Sequence, residues 1–168
     1  MTDPLCRWGI LGTARIARKN WLGIRNAENC TLAAVASRSA ERAEAYVREC
    51  QGYAAFDEVP DAIGGYEQLL ARDDIDAVYL PLPTGLRKEW VVRAAQAGKH
   101  VLCEKPCGID AAEVAEMIAA CRENGVQFMD GVMFMHSRRL RRLREMLDDG
   151  TTVGPLRRIA SHFTVNFP

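Results

Sequence analysis

The stretch LCEKPCG, Leu102 to Gly108, places a carboxylate and an ammonium group between two thiols. Three interpretations are open at this point. Cys103 and Cys107 could build a metal or redox site, or the stretch could be a surface turn whose charges are incidental. Alternatively, Lys105 is held at the end of a buried strand with Glu104 to orient it. There its ammonium group can polarise a carbonyl or hydroxyl oxygen, or change its pKa by burial.

The six cysteines do not favour the metal interpretation. None belongs to a C-x-x-C pair, and the chain has no second cysteine or histidine pair at zinc-site spacing. A free cysteine usually behaves as a small buried hydrophobe. We therefore expect no metal site and interpret Cys103 and Cys107 as packing residues.

A second segment that could form a functional site is GTARIA, Gly12 to Ala17, which follows the first apolar run. It approximates the dinucleotide pattern G-x-G-x-x-G/A, with Gly12 first and Ala17 last. The glycines allow a tight turn and a close approach of the backbone to a pyrophosphate, which the next helix N-terminus stabilises. Ala14 stands where the second glycine is expected, and a plain strand–helix turn is the alternative interpretation.

The segment VASRSAER indicates which cofactor such a turn would hold. Proteins that bind NAD usually carry Asp or Glu at the end of the second strand, to hold the ribose 2′-hydroxyl. Here Ser37 and Arg38 stand there, and no carboxylate follows before Glu41. A guanidinium matches a phosphate in geometry and charge, which favours NADP. The alternative is that Arg38 is a solvated residue before a helix.

Apolar runs alternate with helical patterns along the chain, as expected for elements that would position these residues. Near-continuous Val, Ile, Leu and Ala in the runs indicates a parallel sheet covered on both faces. We predict a doubly wound α/β domain, in which the PLPTG and CEKPCG segments face the ligand crevice at carboxyl ends of strands. The predicted strands are residues 7–12, 31–37, 53–56, 76–83, 100–104 and 126–134, and the predicted helices are 14–27, 40–50, 66–72, 86–98 and 110–125.

The pattern changes after Gly131. An amphipathic helix is predicted over 136–150, followed by a strand over 154–168 that has no visible partner in the sequence. We therefore expect a dinucleotide-binding domain at residues 1–131. Residues 132–168 are expected to be the connecting helix and first strand of a truncated α+β domain.

Composition excludes several function classes. The chain has 168 residues, of which 48% are hydrophobic, and a formal net charge of +0. This charge gives no reason to expect nucleic acid or a membrane as a partner. Arginines between Arg138 and Arg144 are interpreted as the solvated face of a helix, and a cytoplasmic location is the default expectation.

Three stretches carry a resemblance to a known family: RWGILGTARIA, DAVYLPLPTGLRKEWVVRAAQAGKHVLCEKP and VGPLRRI. The E-K-P tripeptide after AGKHVLC is the hallmark of that family. The chain resembles the N-terminal half of the Gfo/Idh/MocA oxidoreductases, the glucose–fructose oxidoreductase type. It is most similar to the branch that includes NADP-dependent D-xylose and dihydrodiol dehydrogenases.

The resemblance implies a Rossmann domain followed by an α/β domain that holds the substrate and builds homo-oligomers. Lys105 matches the family lysine placed near nicotinamide and substrate, while Glu104 and Pro106 shape that loop. Many relatives carry Asn and His in P-N-x-x-H, and this chain departs from them with Thr84 and Arg87. A family Asp–His acid–base pair belongs to the second domain, beyond this sequence.

The combined prediction is an NADP-dependent oxidoreductase, with NAD possible, that moves a hydride to or from a sugar, polyol or related carbonyl compound. The alternative is a nucleotide-binding domain without turnover. The sequence leaves open the substrate, the oligomeric state and whether the bond before Pro106 is cis. Lys105 and Glu104 are the predicted catalytic residues, and the predicted cofactor-binding residues are Gly12, Thr13, Ala14, Arg15, Ile16, Ser37, Arg38, Arg42, Pro81, Leu82, Pro83, Thr84, Glu104 and Lys105.

Overall fold

The computed structural model describes residues 4–164. The chain divides into two units between Gly131 and Val132. The first unit holds the sheet and every predicted site residue.

The first unit is built on a six-stranded sheet in which every strand pair is parallel, in the order β3-β2-β1-β4-β5-β6. The predicted doubly wound α/β fold is confirmed. The order reverses between β1 and β4, and such a reversal is where open α/β sheets bind their ligands. The strands are β1 (Cys6–Leu11), β2 (Cys30–Ser37), β3 (Asp61–Gly64), β4 (Ala77–Leu80), β5 (His100–Cys103) and β6 (Phe128–Asp130).

Helices cover both faces of this sheet. Because side chains alternate across a strand, Ile10 packs among the residues of α1 and α2, whereas Leu11 packs among those of α3, α4 and α5. Among residues 4–164, no helix combines the length and the apolar character that crossing a bilayer requires. The helices of this unit are α1 (Ala17–Asn26), α2 (Ala40–Tyr53), α3 (Tyr66–Leu70), α4 (Thr84–Gln96) and α5 (Ala111–Glu123).

The predicted third strand at residues 53–56 is wrong. Helix α2 continues to Tyr53, and the next residues form a connection held by side chains of α1. Trp21 donates its indole N–H to the Ala54 carbonyl at 2.8 Å, and its ring packs edge-on against Phe56. The third strand is instead Asp61–Gly64, a partly exposed edge strand without the continuous apolar run that marks its neighbours.

Two predictions near the C-terminus also need correction. The sixth strand covers only Phe128–Asp130, because the chain turns into a 3-10 helix over Met133–His136. The predicted last strand is wrong for residues 155–164, which form no regular secondary structure, and residues 165–168 lie outside the described part. A strand needs a partner for its backbone groups, and no strand within residues 4–164 pairs with this segment. Helix α6 (Arg138–Asp148) lies within its predicted range.

One ion pair at the amino ends of the strands gives the protein a defined acid response. Arg7 binds the Asp76 carboxylate through Nη2 at 2.6 Å and Nε at 3.0 Å, which lowers the pKa of Asp76 to about 2. A lowered pKa stabilises the fold above the unfolded-state value of about 3.9, and this contribution is lost as the pH falls toward the folded-state value. The free energy of unfolding of wild type should therefore exceed that of Asp76→Asn at pH 7 but converge on it between about pH 4 and 2.

Urea unfolding of both proteins across this range tests the expectation. Asp73→Asn is the matched control, since the Asp73 side chain is exposed and only its carbonyl contacts Arg7. A difference between wild type and Asp76→Asn that stays constant down to pH 2 would contradict the assignment.

Candidate functional site

The loops that follow the strands meet at the carboxyl edge of the sheet. The Gly12 N–H donates to the Ala36 carbonyl at 2.8 Å, joining the ends of β1 and β2. The Glu104 N–H donates to the Leu80 carbonyl at 3.2 Å, joining the ends of β5 and β4. The predicted site segments therefore belong to one edge, at the point where the strand order reverses.

Gly12 makes the turn after β1 possible. Its φ of +115° lies in a region that side chains with a β-carbon rarely adopt. A β-carbon added there would also lie 2.9 Å from the Leu82 Cδ2 atom. The backbone conformation therefore requires glycine at this position, and an added methyl group would also displace the end of the Leu82 side chain.

The turn leaves a run of backbone donors without protein acceptors. Helix α1 begins at Ala17, later than predicted, because residues 14–16 form a turn before it. Within residues 4–164, the amide N–H groups of Thr13 to Ile16 have no hydrogen-bond acceptor. Helix α1 also has no side-chain cap and no acidic residue in its first turn. Such amides before a helix N-terminus suit a phosphate group, whereas the Arg15 side chain is exposed.

A basic corner lies at the end of β2. Ser37 is buried, with its hydroxyl oxygen 3.4 Å from that of Thr13. Arg38 and Arg42 are exposed. Burial raises the pKa of the Tyr66 phenol, and the charges of Arg38 and Arg42 oppose that shift. Ser37 thus lies beside the turn after β1, while Arg38 follows β2 and Arg42 lies in the first turn of α2; these three residues are called the basic corner.

The segment after β4 connects the turn to the lysine loop. Pro81 and Leu82 are buried, whereas Pro83 is exposed and stands just before α4, which begins at Thr84. The strand itself ends at Leu80, earlier than predicted. Of this predicted set, Leu82 contacts the Gly12 turn, and Pro83 and Thr84 line the start of α4.

Glu104 is fixed through each of its polar groups. Its side chain is 5% exposed, and its Oε1 accepts from the Tyr79 hydroxyl at 2.9 Å while its Oε2 accepts from the Lys105 N–H at 2.9 Å. Its carbonyl accepts from Arg87 Nη1 at 2.8 Å. Burial, followed by the Glu104 charge, raises the pKa of Tyr79, so the phenol keeps its proton and donates it. Glu104 therefore orients the loop and not the lysine side chain.

Lys105 differs sharply from its neighbour. The residue is exposed, and across the described part of the chain its ammonium group has no hydrogen bond or ion pair. The Lys105–Pro106 peptide bond is cis. A fixed backbone thus carries a cation that is accessible to a ligand.

The flanking cysteines belong to the packing of the loop. Cys103 is fully buried in the apolar core, and burial raises the pKa of its thiol to about 12. Burial also raises the pKa of Cys107. Metal ligation and nucleophilic attack both need the thiolate, which neither environment favours. No group of three or more His, Cys, Asp or Glu side chains able to hold a metal occurs in residues 4–164.

Sequence reasoning missed the contributions of Tyr79 and Arg87. Both carried a usable signal. A tyrosine in an otherwise apolar buried strand needs a hydrogen-bond partner. Arg87 precedes the buried residues Trp90, Val91 and Ala94 at helical spacing, which places it on the inward face of α4.

The comparisons with known proteins agree with this geometry. A family model described as "Oxidoreductase family, NAD-binding Rossmann fold" matches residues 6–132. The chain belongs to the Gfo/Idh/MocA oxidoreductase family. This Gfo/Idh/MocA chain is 40% identical to a dTDP-3,4-didehydro-2,6-dideoxy-alpha-D-glucose 3-reductase of Actinomadura kijaniata, over 95% of its own length and 46% of the relative's.

Further relatives of this Gfo/Idh/MocA chain are sugar-active enzymes. A D-xylose 1-dehydrogenase (NADP(+)) of Haloferax volcanii is 38% identical over 96% of this chain and 47% of that protein. A crystal structure of a 3-ketoreductase from Actinomadura kijaniata in complex with TDP-benzene and NADP superimposes with a TM-score of 0.77 and 37% identity, covering 89% of this chain and 45% of that one. The Gfo/Idh/MocA chain thus spans about half the length of the relatives it matches.

Proposed function

We propose that this chain is the cofactor-binding part of an NADP-dependent oxidoreductase that moves a hydride to or from a sugar or a related hydroxyl or carbonyl compound. Family membership supports the reaction class. Relatives named as NADP-dependent or bound to NADP support the cofactor, and their substrates support the sugar class.

The observation that carries the proposal is the run of unpaired amides at residues 13–16, which directly follow Gly12 and include Thr13, whose hydroxyl oxygen lies 3.4 Å from that of Ser37. These amides and the α1 N-terminus would hold the pyrophosphate. Ser37, Arg38 and Arg42 would hold the 2′-phosphate, for which a hydroxyl and guanidinium groups are suitable donors. When bound, the nicotinamide ring supplies or accepts the hydride.

Lys105 would act on the substrate oxygen. An ammonium group stabilises negative charge that develops on a carbonyl oxygen during reduction, and it can donate a proton to that oxygen. In the reverse direction the neutral amine of Lys105 receives the proton from the substrate hydroxyl. Its exposure at the end of β5 leaves it accessible for this contact.

Homo-oligomer formation, a cytoplasmic location and the start of a second domain at residue 132 belong to the same proposal. The family resemblance supports homo-oligomer formation, and the division of the chain after Gly131 supports the start of the second domain. Size-exclusion chromatography of the full gene product with light scattering tests the assembly.

The proposal is tested by NADPH fluorescence titration of this chain, followed by hydride-transfer assays of the full gene product against a panel of sugars and nucleotide-linked sugars. Saturable NADPH binding with turnover on a sugar supports it. Binding without turnover on any substrate would favour a nucleotide-binding domain without catalysis. Absence of NADPH and NADH binding would reject both functions.

Arg38→Ala tests the choice of cofactor. A lost charge-assisted contact to the 2′-phosphate should weaken NADPH binding by about 10- to 100-fold. NADH binding should change by less than about threefold, since a neutral diol gains little from a guanidinium. Arg48→Ala is the matched control, an exposed arginine further along α2. Equal weakening of NADPH and NADH by Arg38→Ala would count against the 2′-phosphate assignment.

A further inference from the structure

Arg87 is a buried cation held by backbone carbonyls. It lies on the inward face of α4, is 7% exposed, and forms no ion pair with a carboxylate in residues 4–164. A buried charge is tolerated when hydrogen bonds satisfy it. Here Nε donates to the Leu82 carbonyl at 2.7 Å, and Nη1 donates to the carbonyls of Glu104, at 2.8 Å, and Pro106.

The positions of these carbonyls show which two segments the Arg87 side chain connects. Glu104 and Pro106 are the two residues on either side of Lys105, and both bind the same guanidinium nitrogen. The third carbonyl, that of Leu82, belongs to the segment that touches the Gly12 turn. One side chain therefore ties the lysine loop to the segment after β4.

We propose that Arg87 is a positioning residue, which fixes the backbone on both sides of Lys105 and so places the ammonium group for its reaction. The inference rests on the role proposed above for Lys105. Misplacing a reacting group by about 1 Å can cost about 100-fold in rate. Lysine cannot replace this arginine fully, because a single ammonium nitrogen cannot reproduce the fork that spans two segments.

The first test measures the loop without using activity. Hydrogen exchange of the peptide that covers residues 102–108 reports on the Lys105 N–H, which is bonded to Glu104 Oε2 at 2.9 Å. In Arg87→Met this peptide should exchange at least about tenfold faster than in wild type, since a local opening becomes easier. Arg93→Met is the matched control, because Arg93 lies on the same helix but binds surface carboxylates. Unchanged exchange in Arg87→Met would overturn the proposal.

The second test uses a double-mutant cycle in the full gene product. Arg87→Met should lower kcat by about 10- to 100-fold, with the Kd for NADPH changed by less than about threefold, and Arg87→Lys should recover part of the loss. In a Lys105→Met background the same change should cost less than about twofold, because residues that act as a unit are not additive. If the loss of kcat in the double variant equals the product of the losses in the two single variants, Arg87 does not act through Lys105. If Arg87→Met does not fold, Arg87→Lys runs the same cycle.

The two tests separate this inference from the proposed function. A wild-type protein that binds no NADPH, or transfers no hydride, rejects the proposed function and the catalytic part of the inference together. Faster loop exchange in Arg87→Met would then still identify the arginine as the anchor of the loop. Normal turnover in wild type with unchanged loop exchange in Arg87→Met would reject the inference alone.

Discussion

Replacing Lys105 with methionine in the full gene product is expected to lower kcat for hydride transfer by about 10²- to 10⁴-fold. Methionine keeps the length and flexibility of the side chain but removes the ammonium group. The substrate oxygen then loses its proton donor and its stabilising charge. The Kd for NADPH should stay within about threefold of wild type, because the phosphate-binding groups proposed above lie on β1, β2 and their loops.

Lys88→Met is the matched control for this substitution. Lys88 is another lysine of the first unit, but it is only partly exposed and pairs with Glu116 on α5 at 2.7 Å. Its loss should leave kcat within about twofold, as expected for a surface ion pair. Stopped-flow measurement of NADPH oxidation gives kcat for Lys105→Met and for Lys88→Met. Unchanged turnover in Lys105→Met would refute the role assigned to the lysine.

Gly12→Ala is expected to damage both the fold and the cofactor site. The φ of +115° strains any residue with a β-carbon, and the methyl group would press on Leu82 at 2.9 Å. We expect a loss of about 1–3 kcal/mol in the free energy of unfolding. The turn must move to relieve the contact between the new methyl group and Leu82, and this movement shifts the amides of residues 13–16. NADPH binding should therefore weaken at least about tenfold.

Gly23→Ala is the control, and it should raise the free energy of unfolding where Gly12→Ala lowers it. Gly23 lies inside α1, and a β-carbon there would meet no atom within 4 Å. Alanine should therefore stabilise the helix by about 0.5–1 kcal/mol. Chemical denaturation and NADPH titration of the two variants test both expectations. A stable Gly12→Ala protein with normal NADPH affinity would contradict the role of the turn.

The parallel sheet could be predicted from the sequence because its central strands are continuous apolar runs. Val78 and Tyr79 of β4 are buried on opposite faces of the sheet, and burial on both faces produces continuous apolar runs. The edge strand Asp61–Gly64 lacks this signature, since its two end residues are exposed and its two middle residues are only partly buried. The apolar pattern of residues 53–56 predicts a strand instead, but Trp21 binds the Ala54 carbonyl in a contact that no local pattern encodes.

The site was predicted in outline and not in its supporting contacts. The motif after β1 and the E-K-P tripeptide are local in sequence, so they could be recognised directly. The hydrogen bonds from Tyr79 and Arg87 join residues 25 and 17 positions away from Glu104. Such contacts depend on how α4 and β4 pack against the end of β5, which spacing alone does not specify. Glu104 consequently turned out to be an anchor of the loop.

The anchoring of Glu104 through its N–H, carbonyl and both carboxylate oxygens has an evolutionary consequence. All of the partners come from residues 79–105, so the placement of the lysine is encoded within one short stretch of chain. A gene that recombined this stretch with a different substrate-binding half would transmit the lysine already in its working position. Substrate range could then diversify by exchange of the substrate-binding half, without new mutations to place the reactive lysine.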